Sequence, residues 1–365
     1  MRELKAYGVR LWQKIYLNDS WISLFVAVLI IGLVLFIGWD NNKLIPPFPK
    51  ARFHYQSSSP LSFMSNWDGP NYLWIARHGY TSSFYASFFP LYPLLIKAFY
   101  FIFRSYLYAG LILSWVFFAG AIFYFIKILR HLGILAIKQS GLSAASFLVL
   151  FPTAVFFVAT YTESLFALIA LAAVYLTLKK RYWLLPPLMT LIDLTHITGI
   201  LVVGLITLML WEQHAKLRQL LSVIGGGLVG LVVFMVYLKV RFNSYLAFVN
   251  SQNHVHGWFT HSYLNLIAKL SVLNLVLIVL IILAAFYYWK NRRSFSIYCL
   301  LFLLIPIAGR QYGGFNRYVL MAFPVQFMLY EYLNRKKNAL PYALVIMAIV
   351  WTYTVLQYAA GYIGS

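Results

Sequence analysis

Residues 66–80 read N-W-D-G-P-N-Y-L-W-I-A-R-H-G-Y. The stretch is a polar island between apolar segments, and its Asp68 is one of only 8 acidic residues among 365. Gly69-Pro70 directly after Asp68 suits a helix start, because proline at the first helical positions lacks only an N–H that would be unpaired anyway. Gly79 suits the helix end. The spacing therefore predicts a short helix over 69–78. On local grounds Asp68 is read either as the cap of that helix or as a carboxylate reserved for chemistry.

The composition decides what surrounds this island. Hydrophobic residues make up 62% of the chain, aromatic residues 19% and charged residues 10%, whereas a soluble domain is about a quarter charged. So much apolar surface is stable only in lipid, which excludes a soluble globular protein and predicts a multi-pass membrane protein. Lysine and arginine number 29 against 8 aspartate and glutamate. In a soluble chain that excess points to nucleic acid; here a positive-inside bias accounts for it, with membrane lipids and lipid phosphates as partners. The single cysteine, Cys299, lies in an apolar run, so neither a disulfide framework nor a cysteine metal site is expected.

A spanning helix takes about 20 apolar residues. Candidate spans are 21–39, 106–128, 142–160, 163–178, 183–194, 196–211, 219–240, 264–289, 295–309, 317–333 and 341–360, about eleven in all. The first follows a basic N-terminus and has no small-residue cleavage site after it, so it is read as an uncleaved span with a cytoplasmic N-terminus. Basic clusters at Lys127/Arg130, Lys179–Lys180–Arg181, Lys216/Arg218, Lys290/Arg292/Arg293 and Arg335–Lys336–Lys337 then all fall inside, provided that 183–211 is two short helices meeting at an outer apex near 193–199. The organisation expected is one all-α polytopic domain, 1–365. Its long first outer loop, 40–105, carries the catalytic stretch and short amphipathic or interfacial helices, including the proline-interrupted run 88–103. Gly225, Gly226, Gly227 and Gly230 read as close helix packing.

This topology puts Asp68, Glu163, Asp193, His196, Arg310 and Arg317 on the outer side, together with His254 and His256. Ionisable groups at membrane depth are costly, and they line cavities or pathways.

Three blocks in order, W-D-G-P-N-Y-L-W-I-A-R-H-G-Y, then F-F-P-L-Y-P-L-L from Phe88, then F-P-T-A-V-F-F-V-A-T-Y-T-E-S-L-F from Phe151, resemble the PIG-V-type mannosyltransferases. Arg317-Tyr318 followed by Phe323-Pro324 is similar to that family's later R-Y…P stretch. The resemblance implies a GT-C-type glycosyltransferase fold. It also implies inverting transfer of a sugar, mannose above all, from a polyprenyl-phosphate-sugar donor to a lipid-linked or glycan acceptor on the outer or lumenal side. The expected membrane is a prokaryotic plasma membrane, or the endoplasmic reticulum in a eukaryote. The family's presumed catalytic aspartate falls on Asp68. Where the family carries arginine ahead of a glycine, this chain reads Thr195-His196-Ile197-Thr198-Gly199.

Inverting transfer needs a base for the acceptor hydroxyl and cations or helix N-termini for the phosphate. Asp68 is expected as the catalytic base. Trp67, Tyr161 and Glu163 are expected to bind substrate, and Arg77, His78, His196, Arg310 and Arg317 the donor phosphate. Each has a plainer reading: helix capping for Asp68, dipole pairing for Glu163, Arg77 and His78, interfacial snorkelling for Arg310 and Arg317, a solvated loop for His254, His256 and His261. With no D-x-D pair and no carboxylate beside those histidines, neither a metal nor another cofactor is expected. The competing function class is a transporter or lipid flippase, which should carry midplane polar groups and pseudo-symmetric halves; neither is visible. No nucleic acid is indicated, and the sequence leaves open whether a partner subunit is needed.

Overall fold

The computed structural model describes residues 25–36 (apart from 27 and 35), 55, 58–136, 140–256, 272–309, 314–336 and 338–362. Among them there are helices, turns and short 3-10 segments but no strand. Of the first expected span, the described residues of 25–36 are helical.

The short helix after Asp68 is α1, Gly69–His78, with Pro70 in its first turn and Gly79 at φ 74° closing it. Next comes α2, Leu91–Phe103, whose Pro90 and Pro93 sit at its start, where proline is tolerated. Ser105 accepts the Tyr108 N–H and opens α3, Tyr106–His131. The Tyr92 hydroxyl donates to the Gly110 carbonyl at 3.0 Å and pairs with Ser114 Oγ at 2.7 Å, locking α2 onto α3.

The expected span 142–160 is not one helix. α4, Leu142–Val149, stops ahead of Pro152, and a 3-10 turn, Ala154–Phe157, follows. Backbone before a proline avoids the helical region, which ends the run. α5 is Glu163–Leu178, a 16-residue helix buried on most sides. α6, Leu185–Asp193, and α7, Gly199–Glu212, are the two short helices joined at an apex that charge placement anticipated.

Beyond them lie α8 (Leu217–Phe242), α9 (Ala247–His256), α10 (Val272–Tyr288) and α11 (Arg293–Gly309). The span expected at 317–333 is also split. Arg317 belongs to a four-residue helix, α12, Phe315–Tyr318, separated from α13, Phe323–Arg335, by a 3-10 turn, with Pro324 opening the longer helix. The last is α14, Ala339–Ala359. Among the described residues α3, α8 and α14 are each long and apolar enough to cross a membrane, while α2, α5, α7, α10 and α11 are apolar but shorter.

Two sets of polar contacts tie the helix ends together. In one, Tyr182 Oη donates to Gln213 Oε1 at 2.7 Å, Glu212 accepts both the N–H and the hydroxyl of Ser294, and Asn334 reaches the Ile134 carbonyl. These are the turns that carry the basic clusters. In the other, the Leu91 N–H donates to the Leu194 carbonyl at 2.9 Å, which joins the α6–α7 apex to the start of α2.

Of the four glycines expected to pack closely, Gly226, Gly227 and Gly230 do and Gly225 does not. A Cβ on Gly226 would lie 2.4 Å from the Pro186 carbonyl oxygen, and one on Gly230 2.4 Å from that of Thr190. Both therefore let α8 approach the α6 backbone. Gly225 faces open space.

Candidate active site

The local conformation around Asp68 answers whether it is a cap. Its backbone is already helical, at φ −77° and ψ −23°, and its carbonyl accepts the Asn71 N–H at 3.0 Å. Its side chain makes no capping hydrogen bond. The second helical residue is Pro70, without an N–H to offer, so the backbone starts the helix and the carboxylate is turned elsewhere.

The residues before it are held from three directions. Trp67 sits at φ 60°, a conformation that bulky side chains rarely adopt and that costs on the order of 1–3 kcal/mol. The Tyr161 hydroxyl donates to the Asn66 carbonyl at 2.9 Å and accepts the Asp68 N–H at 3.2 Å. The Asn66 amide donates to the carbonyls of Tyr358 and Ala359 at the end of α14, both at 3.3 Å. Ser65 and Thr160 share a hydroxyl hydrogen bond, and a Cβ on Gly69 would stand 2.6 Å from Thr160 Oγ1. A side chain at position 69 would push into this hydroxyl pair.

Arg317 closes the cluster. Its Nη1 donates to Asp68 Oδ2 at 2.6 Å, and its Nε faces Glu163 Oε1 at 2.8 Å, a close ion-pair contact. The exposures of the three side chains are 6% for Arg317, 15% for Asp68 and 1% for Glu163. Tyr161 and Tyr318 bracket the guanidinium, each ring centroid 5.1 Å from its central carbon. Burying charges this deeply costs several kcal/mol per ion before pairing offsets it. The Tyr72 phenol, 3.5 Å from Thr162 Oγ1, is pushed well above its usual range by burial and then by Glu163 and Asp68. Burial, with Tyr358 and Asp68 behind it, does the same to Tyr161. Both therefore remain neutral hydroxyls.

His196 stands one ring away, its centroid 5.3 Å from that of Tyr318. Its Nδ1 lies 3.1 Å from the Thr198 backbone nitrogen and 2.8 Å from the Thr198 hydroxyl, so Thr198 engages this edge of the ring. His196, Thr198 and Tyr318 line an apolar cavity of about 280 Å³, walled by Phe89, Leu201, Phe248 and Ile305.

Of the residues anticipated from sequence, Asp68, Glu163, Tyr161, Arg317 and His196 thus come together. Glu163 meets Arg317. Arg77 and His78 lie exposed in the last turn of α1, roughly 14 Å along the helix from Asp68. Trp67 is half-buried next to the carboxylate. Arg310 and His261 fall outside the described residues, as do the side chains of His254 and His256. Asp193 is buried against Gly199 and Gly227, at the α6–α8 contact. Among the described residues no group of His, Cys, Asp and Glu is arranged to hold a metal ion. Sequence reasoning missed the parts played by Asn66 and Thr160, although both lie inside the quoted blocks. It also missed Tyr358, 292 residues from Asn66, for which no local signal exists.

Membrane-length helices and a buried cluster of two carboxylates on one guanidinium define an integral membrane protein with an enzyme-like site at one end of its bundle. The family model described as Mannosyltransferase (PIG-V) matches residues 47–263, more than half of the chain, and the protein belongs to that family. It is accordingly a membrane mannosyltransferase, a hexosyltransferase. No curated protein is similar enough to count as a match. Asp68, Tyr161, Glu163 and His196 lie inside the matched region; Arg317 lies beyond it.

Proposed function

We propose that the protein transfers mannose with inversion from a polyprenyl-phosphate-mannose donor to a hydroxyl of a lipid-linked or glycan acceptor, on the outer or lumenal side of its membrane, with Asp68 as general base. The observation that carries this reading is the orientation of Asp68: a carboxylate at the head of α1 that is not spent on capping and is held by Arg317.

In the reaction the acceptor oxygen attacks the anomeric carbon from the face opposite the phosphate. The carbon–oxygen bond to the phosphate breaks, and its electron pair leaves with the polyprenyl phosphate. Asp68 takes the acceptor's hydroxyl proton as the new glycosidic bond forms. Such a base contributes about 10²–10⁴-fold. The leaving phosphate is already a stable anion and needs no proton, only positive or hydrogen-bonding partners in a low-dielectric site. Arg317 and His196 fill that role, and the cavity beside them takes apolar chain. Tyr161, Trp67 and Glu163 shape the site around the acceptor.

The direct experiment is Asp68→Asn in the full-length protein, assayed for mannose transfer from radiolabelled polyprenyl-phosphate-mannose in membranes. Turnover should fall by at least about 10²-fold with folding unchanged. A folded variant with wild-type turnover sinks the assignment.

A further inference from the structure

We propose that Arg317 changes partners during each turnover: it holds Asp68 while the donor site is empty and passes to the donor's phosphate when the donor arrives. The base is then released only in a donor-loaded site. This rests on the lipid-phosphate donor proposed above.

All three guanidinium nitrogens already face a partner. Nε meets Glu163 at 2.8 Å, Nη1 meets Asp68 at 2.6 Å, and Nη2 meets the Tyr318 hydroxyl at 3.4 Å. A phosphate that takes two N–H groups of this cation therefore competes with these contacts for it. Two features make Asp68 the partner that yields. Its side chain is 15% exposed against 1% for Glu163, so water can take over its solvation, whereas a stripped Glu163 is left as an uncompensated buried charge. Moreover, no capping bond ties the Asp68 carboxylate to α1. Glu163, in the first turn of α5, keeps hold of Nε while the Nη edge changes partner.

The approach is laid out as well. Tyr318, at the Nη2 edge, also lines the apolar cavity that His196 and Thr198 border. A donor whose chain lies there has its phosphate near Tyr318, the residue that also contacts the guanidinium, whose planar fork suits two parallel hydrogen bonds to phosphate. The exchange has a chemical result. The Asp68 carboxylate is freed to meet the acceptor hydroxyl only once the sugar donor is in place. Glu163 is on this account a positioning residue, acting through Arg317 rather than on the substrate.

The exchange predicts an affinity change of unusual sign, because Asp68 and phosphate compete for one cation. Binding of farnesyl phosphate, a short stand-in for the leaving group, is measured on the full-length protein in nanodiscs. Wild type, Asp68→Asn, Asp68→Ala and Arg317→Gln are compared, each first shown to be monodisperse and cooperatively folded. Both Asp68 variants should bind about tenfold more tightly than wild type while losing transfer, and Arg317→Gln should bind at least tenfold more weakly. Wild-type or weaker affinity in both folded Asp68 variants means that Arg317 stays on residue 68 as a fixed structural pair, and overturns the exchange. So does an absence of farnesyl phosphate binding in a protein that still transfers mannose. Failure of the wild-type protein to transfer from any polyprenyl-phosphate-mannose overturns the donor reading instead, which keeps the two failures apart.

Discussion

One oxygen fixes the chain on both sides of Trp67: the Tyr161 hydroxyl gives its proton to the Asn66 carbonyl and takes the N–H of Asp68. Tyr161→Phe keeps the ring, and with it the face presented to Arg317, but leaves the Asp68 N–H without this acceptor and the Asn66 carbonyl with only the Gly69 N–H. We expect a loss of about 1–3 kcal/mol in stability, read as a lowered midpoint of thermal unfolding in detergent. Transfer should fall by at least tenfold at saturating donor, because the carboxylate is no longer aimed. A Tyr161→Phe protein with wild-type kcat shows that the hydroxyl has no part in orienting Asp68. At this scale the sequence was partly legible. The rarity of acids in so apolar a chain singled out Asp68 and Glu163, and charge placement put both on one side with Arg317. That the three touch was not readable, because Asp68 and Arg317 are 249 residues apart and no local pattern reports such a contact. His196 was legible as a histidine where the family carries arginine, at the same spacing ahead of Gly199. Its contact with Thr198 was not, since that depends on how the apex turns.

At the scale of elements, α8 meets α6 through glycines whose neighbours differ sharply. Gly226→Ala sets a methyl 2.4 Å from a backbone oxygen of Pro186, which cannot swing away. The two helices must separate, at about 1–3 kcal/mol. Gly225→Ala meets nothing within 4 Å and removes a flexible residue from a helix interior, so it should stabilise by about 0.5–1 kcal/mol. Thermal unfolding of the two single variants, one residue apart, checks this: equal shifts would show that α8 does not pack on α6 in this register. The short helix 69–78 and the span 163–178 were readable to the residue because glycine, proline and charge punctuate their ends. The spans 142–160 and 317–333 were not. Hydropathy sums the apolar content across Pro152 and Pro324 and so does not register that the backbone breaks there. The second break is what presents Arg317: a four-residue helix ahead of α13 turns it towards Asp68, where a continuous helix would have carried it along the bundle wall.

Among the described residues the turns that carry His131, Lys179 and Arg292 gather at one end, while the Asp68 cluster sits at the start of α5, whose other end Lys179 follows. If charge bias sets orientation, the cluster end faces outward. Cysteines introduced one at a time at the exposed positions Ser82 and Lys180 test this in intact cells, the native Cys299 being buried. A membrane-impermeant thiol reagent should label Ser82→Cys readily and Lys180→Cys only after permeabilisation; the reverse pattern places the reaction on the cytoplasmic face. The two-ended charge distribution was legible from composition and loop placement alone. The number of crossings was less so, because several apolar helices here are shorter than a bilayer core.

The hold of the Asn66 amide on the last turn of α14 also has a consequence in time. The proposed base is synthesised early, but the carbonyls that seat its loop arrive 292 residues later. At translation rates of about 5–20 residues per second, that is a delay of roughly 15–60 s. Throughout that interval the nascent protein has its aspartate in the membrane without the finished seat for it. Catalytic competence is therefore a property of the completed, fully inserted chain, and a stalled or prematurely released product should be inert even with the whole of residues 47–263 in place.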